Sequence, residues 1–415
     1  MSAPFDLVVR RARLRGKAAL CDIAIQQARI AAISERVDAG AAAQIDARGG
    51  LVTESFVNPH LHLCKVYTLR MMDDEAARAY QGADMGKAMS AIELAARVKS
   101  TYDASWIIAN VRRAVAAAAY YGTTHLRAFA DVDGKARLEG IKALLRAREE
   151  FRDTVAIQVV AFAQDGIARE PGAAELMRQA MALGADVVGG IPWIEYTDAD
   201  AAAHVDFCFD LAREHDANVS MLVDDAGDAG LRTLETMALA AIRRNWHGRV
   251  LAHHARAMAL YPTPYLEKLS ALMRQAGLGL VTDPHTGPLH ARVKELLAAG
   301  VNVCLGQDDV SDAYYAFGRN NMLEVAFLAA HLLWMTTRPD METLYDMITG
   351  RAAQAMGVEN HTLAVGAPAN FVVLDAPDLL EALREHAAPT AVVSQGRQVD
   401  QEKMRQLSRP DAELV

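Results

Sequence analysis

The sequence predicts an α/β fold: a (β/α)8 barrel carrying a small β-sandwich built from both ends of the chain. Two observations predict the barrel. Eight short β-type runs alternate with longer helical stretches, which implies a parallel sheet covered by helices. The chain has 415 residues, 52% of them hydrophobic, which is enough for a barrel of about 250 residues or more and a second unit beside it. A third observation predicts the sandwich, because both ends read as short β runs without intervening helical periods.

In chain order the eight barrel runs are Glu54–Leu63, Thr124–Val132, Val155–Gln164, Asp186–Ile194, Asn218–Asp225, Arg249–Ala255, Gly277–Pro284 and Asn302–Asp309. Many are apolar throughout, as burial on both faces demands. The helical stretches between them include Leu138–Phe151, Pro171–Gly184 and Ala201–His215. Gly122, Gly184, Gly248, Gly277 and Gly300 precede strands where helix C-caps are needed. At the ends, Leu7–Arg10, Cys21–Ile25 and Arg29–Ile33 answer Ala369–Leu374 and Thr390–Val393. The expected limits are therefore 1–54 for the first part of the sandwich, 55–360 for the barrel and 361–415 for the rest of the sandwich. Residues 401–415 are read as a short helix or tail.

The formal charge is −9, and the 43 Lys and Arg residues form no basic run. Nucleic acid and anionic membranes are therefore not expected partners. Cys21, Cys64, Cys208 and Cys304 make no C-x-x-C pair, so neither a zinc ribbon nor a disulfide framework is expected. The N-terminus lacks the basic and apolar regions of a signal peptide, and no apolar run reaches the ~20 residues of a membrane span. A cytoplasmic location is the expectation.

Chemistry concentrates in Phe56-Val57-Asn58-Pro59-His60-Leu61-His62-Leu63-Cys64-Lys65. Residues i and i+2 of a strand face the same way, so both imidazoles can point into the barrel mouth and share one metal ion. The C-terminal end of the first barrel strand is where barrel active sites lie. That context raises the histidine pair above a chance occurrence.

With this motif, and with the segments Val159–Ile167, Leu183–Pro192, Val301–Val310 and Asn321–Leu323, the chain resembles the amidohydrolase superfamily. Within it, the resemblance is to the cytosine deaminase-like branch, which includes isocytosine deaminases and N-isopropylammelide hydrolases. The resemblance covers most of the chain. It implies that His60, His62 and Asp308 bind the metal and that Asp308 also takes a proton from the attacking water. His254 would match the strand-6 histidine beside that water. Gln164 would match the glutamine that holds the ring amide, and Asp309 and Tyr314 would meet the substrate ring. A divalent cation in such a site lowers the pKa of bound water from ~15.7 towards ~7. No lysine lies in Asp186–Tyr196 to bridge two ions, so the resemblance implies one ion, zinc first, with iron or manganese as alternatives.

The pattern also breaks. Leu222 stands where the family has a ligand histidine, and Asp225 where it has the glutamate that carries a proton to the leaving group. Ala128 and Phe129 replace a Thr-His-type pair, Gln307 replaces a histidine or serine, and Cys64 replaces an aspartate. Three readings follow. The ion is held by His60, His62 and Asp308, with His254 as fourth ligand; or Cys64, at i+4 from His60, joins as a thiolate; or metal affinity is lost. The first is favoured, since three protein ligands suffice for catalytic zinc. For Cys64, a buried small hydrophobe is favoured.

Leu222 and Phe129 make one side of the pocket apolar, so an N-alkylated cyclic amide, urea or amidine is the expected substrate class. Expected roles are Asp308, Asp225 and His254 in catalysis, Gln164, Asp309, Tyr314 and Phe129 at the substrate, and His60, His62, His254 and Asp308 at the metal. The rival is a barrel that binds a small heterocycle without hydrolysing it. Association into a homo-oligomer is compatible with barrels of this type. Among the remaining residues, His253 is expected behind the barrel and His125 in a structural place. His285 and His290 are expected in an exposed loop, and Arg127 in an ion pair with Asp131 or Asp308. Trp193 and Tyr196 are read as pocket wall or ordinary packing. The Met-rich stretch Tyr67–Thr101 is read as core before lid.

Overall fold

The computed structural model describes residues 5–72, 78 and 85–410. The chain opens with β1 (Phe5–Leu14), β2 (Leu20–Gln26), β3 (Arg29–Ser34), β4 (Ala41–Asp46) and β5 (Leu51–Glu54). The barrel strands follow: β6 (Phe56–Leu61), β7 (Thr123–Asp131), β8 (Ala156–Phe162), β9 (Val187–Gly190), β10 (Asn218–Val223), β11 (Val250–His254), β12 (Gly279–Thr282) and β13 (Val303–Leu305). The last strands are β14 (Phe371–Leu374), β15 (Ala391–Ser394) and β16 (Arg397–Gln398).

Each of the eight barrel runs read from the sequence contains one barrel strand or most of it. The strands pair in sequence order from β6 to β13, all parallel. A bridge between Leu61 and Asp308 joins the first strand to the chain just after the last. The strands are shorter than the apolar runs suggest, and the difference lies mostly at the barrel mouth. Four 3-10 turns, Leu63–Lys65, Pro192–Ile194, Arg256–Leu260 and Pro284–Thr286, take over where strands end. These turns carry the residues that surround the site.

Helices cover the barrel because their caps and apolar faces agree. The helix Ala104–Tyr120 is capped by the Asp103 side chain, which accepts from the Ser105 N–H, and buries Ile107, Ile108, Val111 and Val115. Thr197 caps Asp198–Glu214 in the same way. Gly277, at φ +62°, ends the helix Thr263–Ala276 in a left-handed turn that aims the chain into β12. No helix among the described residues is long and apolar enough to cross a membrane.

The two ends of the chain meet in one mixed sheet of order β16-β15-β14-β5-β1-β2-β3, with β4 beside β1. The joint is the antiparallel pairing of β5 with β14, from Leu51 opposite Leu374 to Glu54 opposite Phe371. Val9, Ile23, Ile25, Val52, Phe371, Val373 and Val393 form its core. The Met-rich stretch splits: Met85 is buried, Met71 is exposed, and Met72 and Met89 pack partly against core clusters. Residues 73–77 and 79–84 of that stretch, and 411–415 of the tail, lie outside the described residues.

Phe371 is fully buried where the last part of the chain clasps the first. Replacing it with alanine should lower unfolding stability by about 3–5 kcal/mol, measured by denaturant unfolding. A loss below about 1 kcal/mol would show that this joint contributes little.

Candidate metal centre

The centre forms where the barrel closes. Just past β13, the Asp308 N–H donates to the His60 carbonyl at 2.9 Å, and the His62 N–H donates to the Asp308 carbonyl at 2.8 Å. This ladder fixes His60, His62 and Asp308 side by side. Asp308 and His254 both have left-handed backbones, at φ +66° and +65°. Such conformations are strained for non-glycine residues and cluster at functional sites.

The side chains converge. The Nε2 atoms of His60, His62 and His254 lie 3.0, 3.7 and 3.9 Å from Asp308 Oδ1. One ligand atom from each of these four residues lies within 4.8 Å of all the others, and all four residues are buried. Burial pushes the three imidazoles below their ordinary titration range. They are therefore neutral near pH 7 and offer lone pairs. Burial opposes ionisation of Asp308, but the nearby His254 and the hydrogen bond shared with His60 outweigh it and hold the carboxyl well below the usual range. His254 Nδ1 donates to the Asp283 carboxylate at 2.9 Å, which turns the Nε2 lone pair towards the cluster. Three neutral imidazoles and one carboxylate are a donor set suited to a single divalent cation.

A cavity opens over the cluster. Gln164, Lys65, Asp309, Tyr314, Asp225, His254, Arg256 and Asp308 form its polar side, and Ala88, Ile92, Ile191, Trp193 and Leu222 its apolar side. Gln164 Oε1 accepts from Lys65 Nζ at 3.1 Å, and the same ammonium stands 4.7 Å from the Tyr314 ring centre. Asp309 is buried, and its Oδ1 has no hydrogen-bond partner. Asp225 Oδ2 lies 4.0 Å from His254 Nε2, while its Oδ1 accepts from Arg256 at 2.8 Å. Burial raises the Asp225 pKa, though His254 and Arg256 pull the other way.

Several expectations are corrected. Phe129 does not line the cavity. Its ring backs His60 and His62 from beneath, at centroid distances of 4.5 and 5.4 Å. His253 is not behind the barrel but inside it, 4.5 Å from the His60 ring. Simple alternation fails there because the last residue of β11, His254, and the residue after it, Ala255, have left-handed backbones, so both histidines face inward. Arg127 pairs with neither Asp131 nor Asp308. It binds the Gln158 and Ser220 side chains and the Met356 carbonyl. Cys64, by contrast, is the favoured buried small hydrophobe, outside the metal cluster, because the turn Leu63–Lys65 breaks the strand geometry that would have aimed it inward. Its sulfur accepts from the Asp131 N–H at 3.3 Å, and burial raises the thiol pKa. His285 and His290 are half-buried and do not line the cavity, and Tyr196 is exposed away from it.

Sequence reasoning missed Arg256, Asp283 and Thr286. Each follows a barrel strand at its C-terminal end, which was the signal that could have found them.

A closed (β/α)8 barrel with a His-x-His pair, a third histidine and an aspartate at its mouth defines a metal-dependent hydrolase of carbon–nitrogen bonds. Comparison with known proteins agrees. The family model described as "Amidohydrolase family" matches residues 43–400. The N-isopropylammelide isopropyl amidohydrolase of Pseudomonas sp. is 30% identical over 401 residues, covering 96% of this chain and 98% of that protein. A solved structure of 5-methylcytosine deaminase from Klebsiella pneumoniae, liganded with 5-fluorocytosine, superposes with a TM-score of 0.86 at 30% identity, covering 94% of this chain and 97% of that one. N-isopropylammelide isopropylaminohydrolase from Burkholderia multivorans gives 0.83 at 28% identity, covering 96% and 98%. The chain belongs to the amidohydrolase family.

Two measurements test the geometry. A methyl group on Gly306 would sit 2.8 Å from His60 Cβ. Gly306→Ala should therefore displace His60 and lower zinc retention through dialysis, and unchanged retention would contradict the tight seam. Burial also pushes His285 down to about 4. Its unfolded value is about 6.5, so below that pH the unfolded chain binds more protons. The stability it contributes is complete above pH ~6.5 and is lost as pH falls towards 4. Melting temperatures should drop over this window by more in the parent than in His285→Gln.

Proposed function

We propose that the protein hydrolyses the bond between a ring carbon and an exocyclic nitrogen in an N-alkylated nitrogen heterocycle, releasing an amine. The observation that carries this reading is the divided cavity. Gln164, Asp309 and Asp225 offer hydrogen bonds on one side, and Leu222, Ile92 and Ile191 offer none on the other, where Trp193 adds an indole with one unpaired N–H. A ring with polar edges throughout would leave donors and acceptors unpaired against the apolar side, at about 1–3 kcal/mol each. An alkyl substituent fits there instead. The name of the Pseudomonas relative specifies an isopropyl-bearing substrate, which supports the same class.

His60, His62, His254 and Asp308 would hold one divalent cation, with zinc as the first choice. The ion supplies Lewis acidity that makes water easier to deprotonate near neutral pH. The chain supplies the rest. Asp308, held ionised, accepts the proton that water loses as its oxygen bonds to the ring carbon. Asp225, with its raised pKa, carries a proton to the exocyclic nitrogen as the carbon–nitrogen bond breaks. The neutral amine then leaves and the ring keeps the oxygen as a carbonyl: the proton first taken by Asp308 passes to the ring nitrogen, and the hydroxyl proton released as the carbonyl forms restores Asp225. Gln164, Asp309 and Tyr314 meet the ring, and Lys65 holds Gln164 through its hydrogen bond.

Leu222, where the resemblance expects a histidine, favours one competing reading, a barrel that binds the ring without hydrolysing it. Metal analysis separates the two. The parent should hold about one zinc per chain, and the His60→Ala, His62→Ala double variant none. With metal present, N-isopropylammelide should be turned over faster than cytosine. Leu222→Gln should reduce that preference about tenfold or more. A metal-free parent that zinc, iron and manganese all fail to load would establish the binding reading. Turnover of cytosine with the N-isopropyl compound ignored would reject the alkyl preference.

A further inference from the structure

Arg256 is almost fully buried in the cavity wall, within reach of three carboxylates. Its Nη1 donates to Asp225 Oδ1 at 2.8 Å. Its Nη2 donates to Thr286 Oγ1 at 2.6 Å and lies 3.4 Å from Asp283 Oδ1 and 3.5 Å from Asp308 Oδ2. The Thr286 hydroxyl in turn donates to Asp308 Oδ2 at 2.7 Å. A continuous chain of hydrogen bonds thus runs from Asp225 through Arg256 and Thr286 to Asp308.

The two carboxylates are used alike. Asp225 gives Oδ1 to the guanidinium and keeps Oδ2 near His254. Asp308 gives Oδ2 to Thr286 and keeps Oδ1 among the three imidazoles. The local backbone is shaped for this arrangement. His254 and Ala255 turn left-handed to start the 3-10 turn that begins at Arg256. Opposite, a Cβ on Gly287 would come within 3.0 Å of Arg256 Nε, so a glycine there makes room for the side chain.

We propose that Arg256 is the positioning residue of this centre. It holds Asp225 directly and Asp308 through Thr286, so that each carboxylate keeps one oxygen facing the reacting groups. This rests on the metal-dependent hydrolase reading. It also gives the shortened acid at Asp225 a fixed place, which aspartate in a roomy pocket would not otherwise have.

The test separates positioning from bare charge. A guanidinium acting only as a positive charge opposes a cation, so its removal would tighten zinc binding. Positioning predicts the reverse. Thr286→Val removes the hydroxyl without changing charge, and it should weaken zinc about 10- to 100-fold, as lost ligand-orienting hydrogen bonds do, measured by competition with a chromophoric chelator. Arg256→Ala should also weaken zinc, alter the visible spectrum of the cobalt-loaded protein, and lower kcat on N-isopropylammelide more than it changes KM. Added guanidinium ion should restore part of that rate. Arg256→Lys, which supplies the charge without the planar two-sided donor, should behave like the alanine variant and serves if that variant fails to fold. Unchanged or tighter zinc in Thr286→Val and Arg256→Lys, with an unaltered cobalt spectrum, overturns the proposal. Because these readings compare variants with a zinc-binding parent, a parent that binds no metal counts against the hydrolase reading instead, and the positioning role falls with it.

Discussion

The barrel closes through its own metal centre, and most of the site follows from that constraint. Two backbone hydrogen bonds, from Asp308 to His60 and from His62 to Asp308, span the gap between the first strand and the end of the last. They also set the spacing of three donor side chains. Gly306 lets the seam approach His60 without a clash. The candidate ligands therefore stand where strand pairing fixes their relative positions. Phe129, rather than lining the cavity, packs its ring against both histidines.

Burial makes the charge balance severe. Asp225, Asp283, Asp308 and Asp309 approach one another in a region almost closed to water, and each unpaired ion in such a place costs several kcal/mol. Arg256 answers three of these groups and Lys65 faces the fourth. The histidines answer the same pressure by staying neutral. A buried cluster that keeps Asp308 ionised beside neutral imidazoles offers a donor set suited to a divalent ion. The left-handed backbones at His254 and Asp308 fit this view, since strain of about 1 kcal/mol or more each is retained only where the surroundings insist on it.

What the sequence revealed and what it hid divide along one line. Periodicity is a property of regular structure, so the eight strands, the joining of the two ends and the His60–His62 pair were all legible. The errors sit where strands stop. The less favoured reading of Cys64 as an inward-facing ligand carries alternation into a 3-10 turn, and the favoured buried position is the one found. His253 was put outside because alternation was carried through a left-handed bend. Arg256, Asp283 and Thr286 passed unnoticed for the same reason: single polar residues in short turns leave no periodic trace. Arg127 was matched to acidic residues by charge alone, whereas the buried guanidinium found neutral acceptors in Gln158, Ser220 and Met356.

Leu222 ties these threads together, because one side chain bears on both the metal and the substrate. A histidine at that point would have supplied a ligand and a polar wall. Leucine supplies neither, so the lost donor must be made good elsewhere, and His254 is placed to do it. Its Nδ1 proton is fixed on Asp283, and its Nε2 stands with those of His60 and His62 around Asp308 Oδ1. The lost polarity, by contrast, is not made good: Leu222 joins Ile191 and Trp193 in one apolar cluster. Four donors gathered round one point beside an apolar wall form the arrangement that the proposed N-alkylated substrate would call for. If the site had merely decayed, nothing would hold His254 in a strained backbone beside a paired Asp283. If it had kept a fully polar substrate, an acceptor or donor would be needed where Leu222 lies. The combination fits the proposed reading, a metal centre beneath a pocket that is apolar on one side.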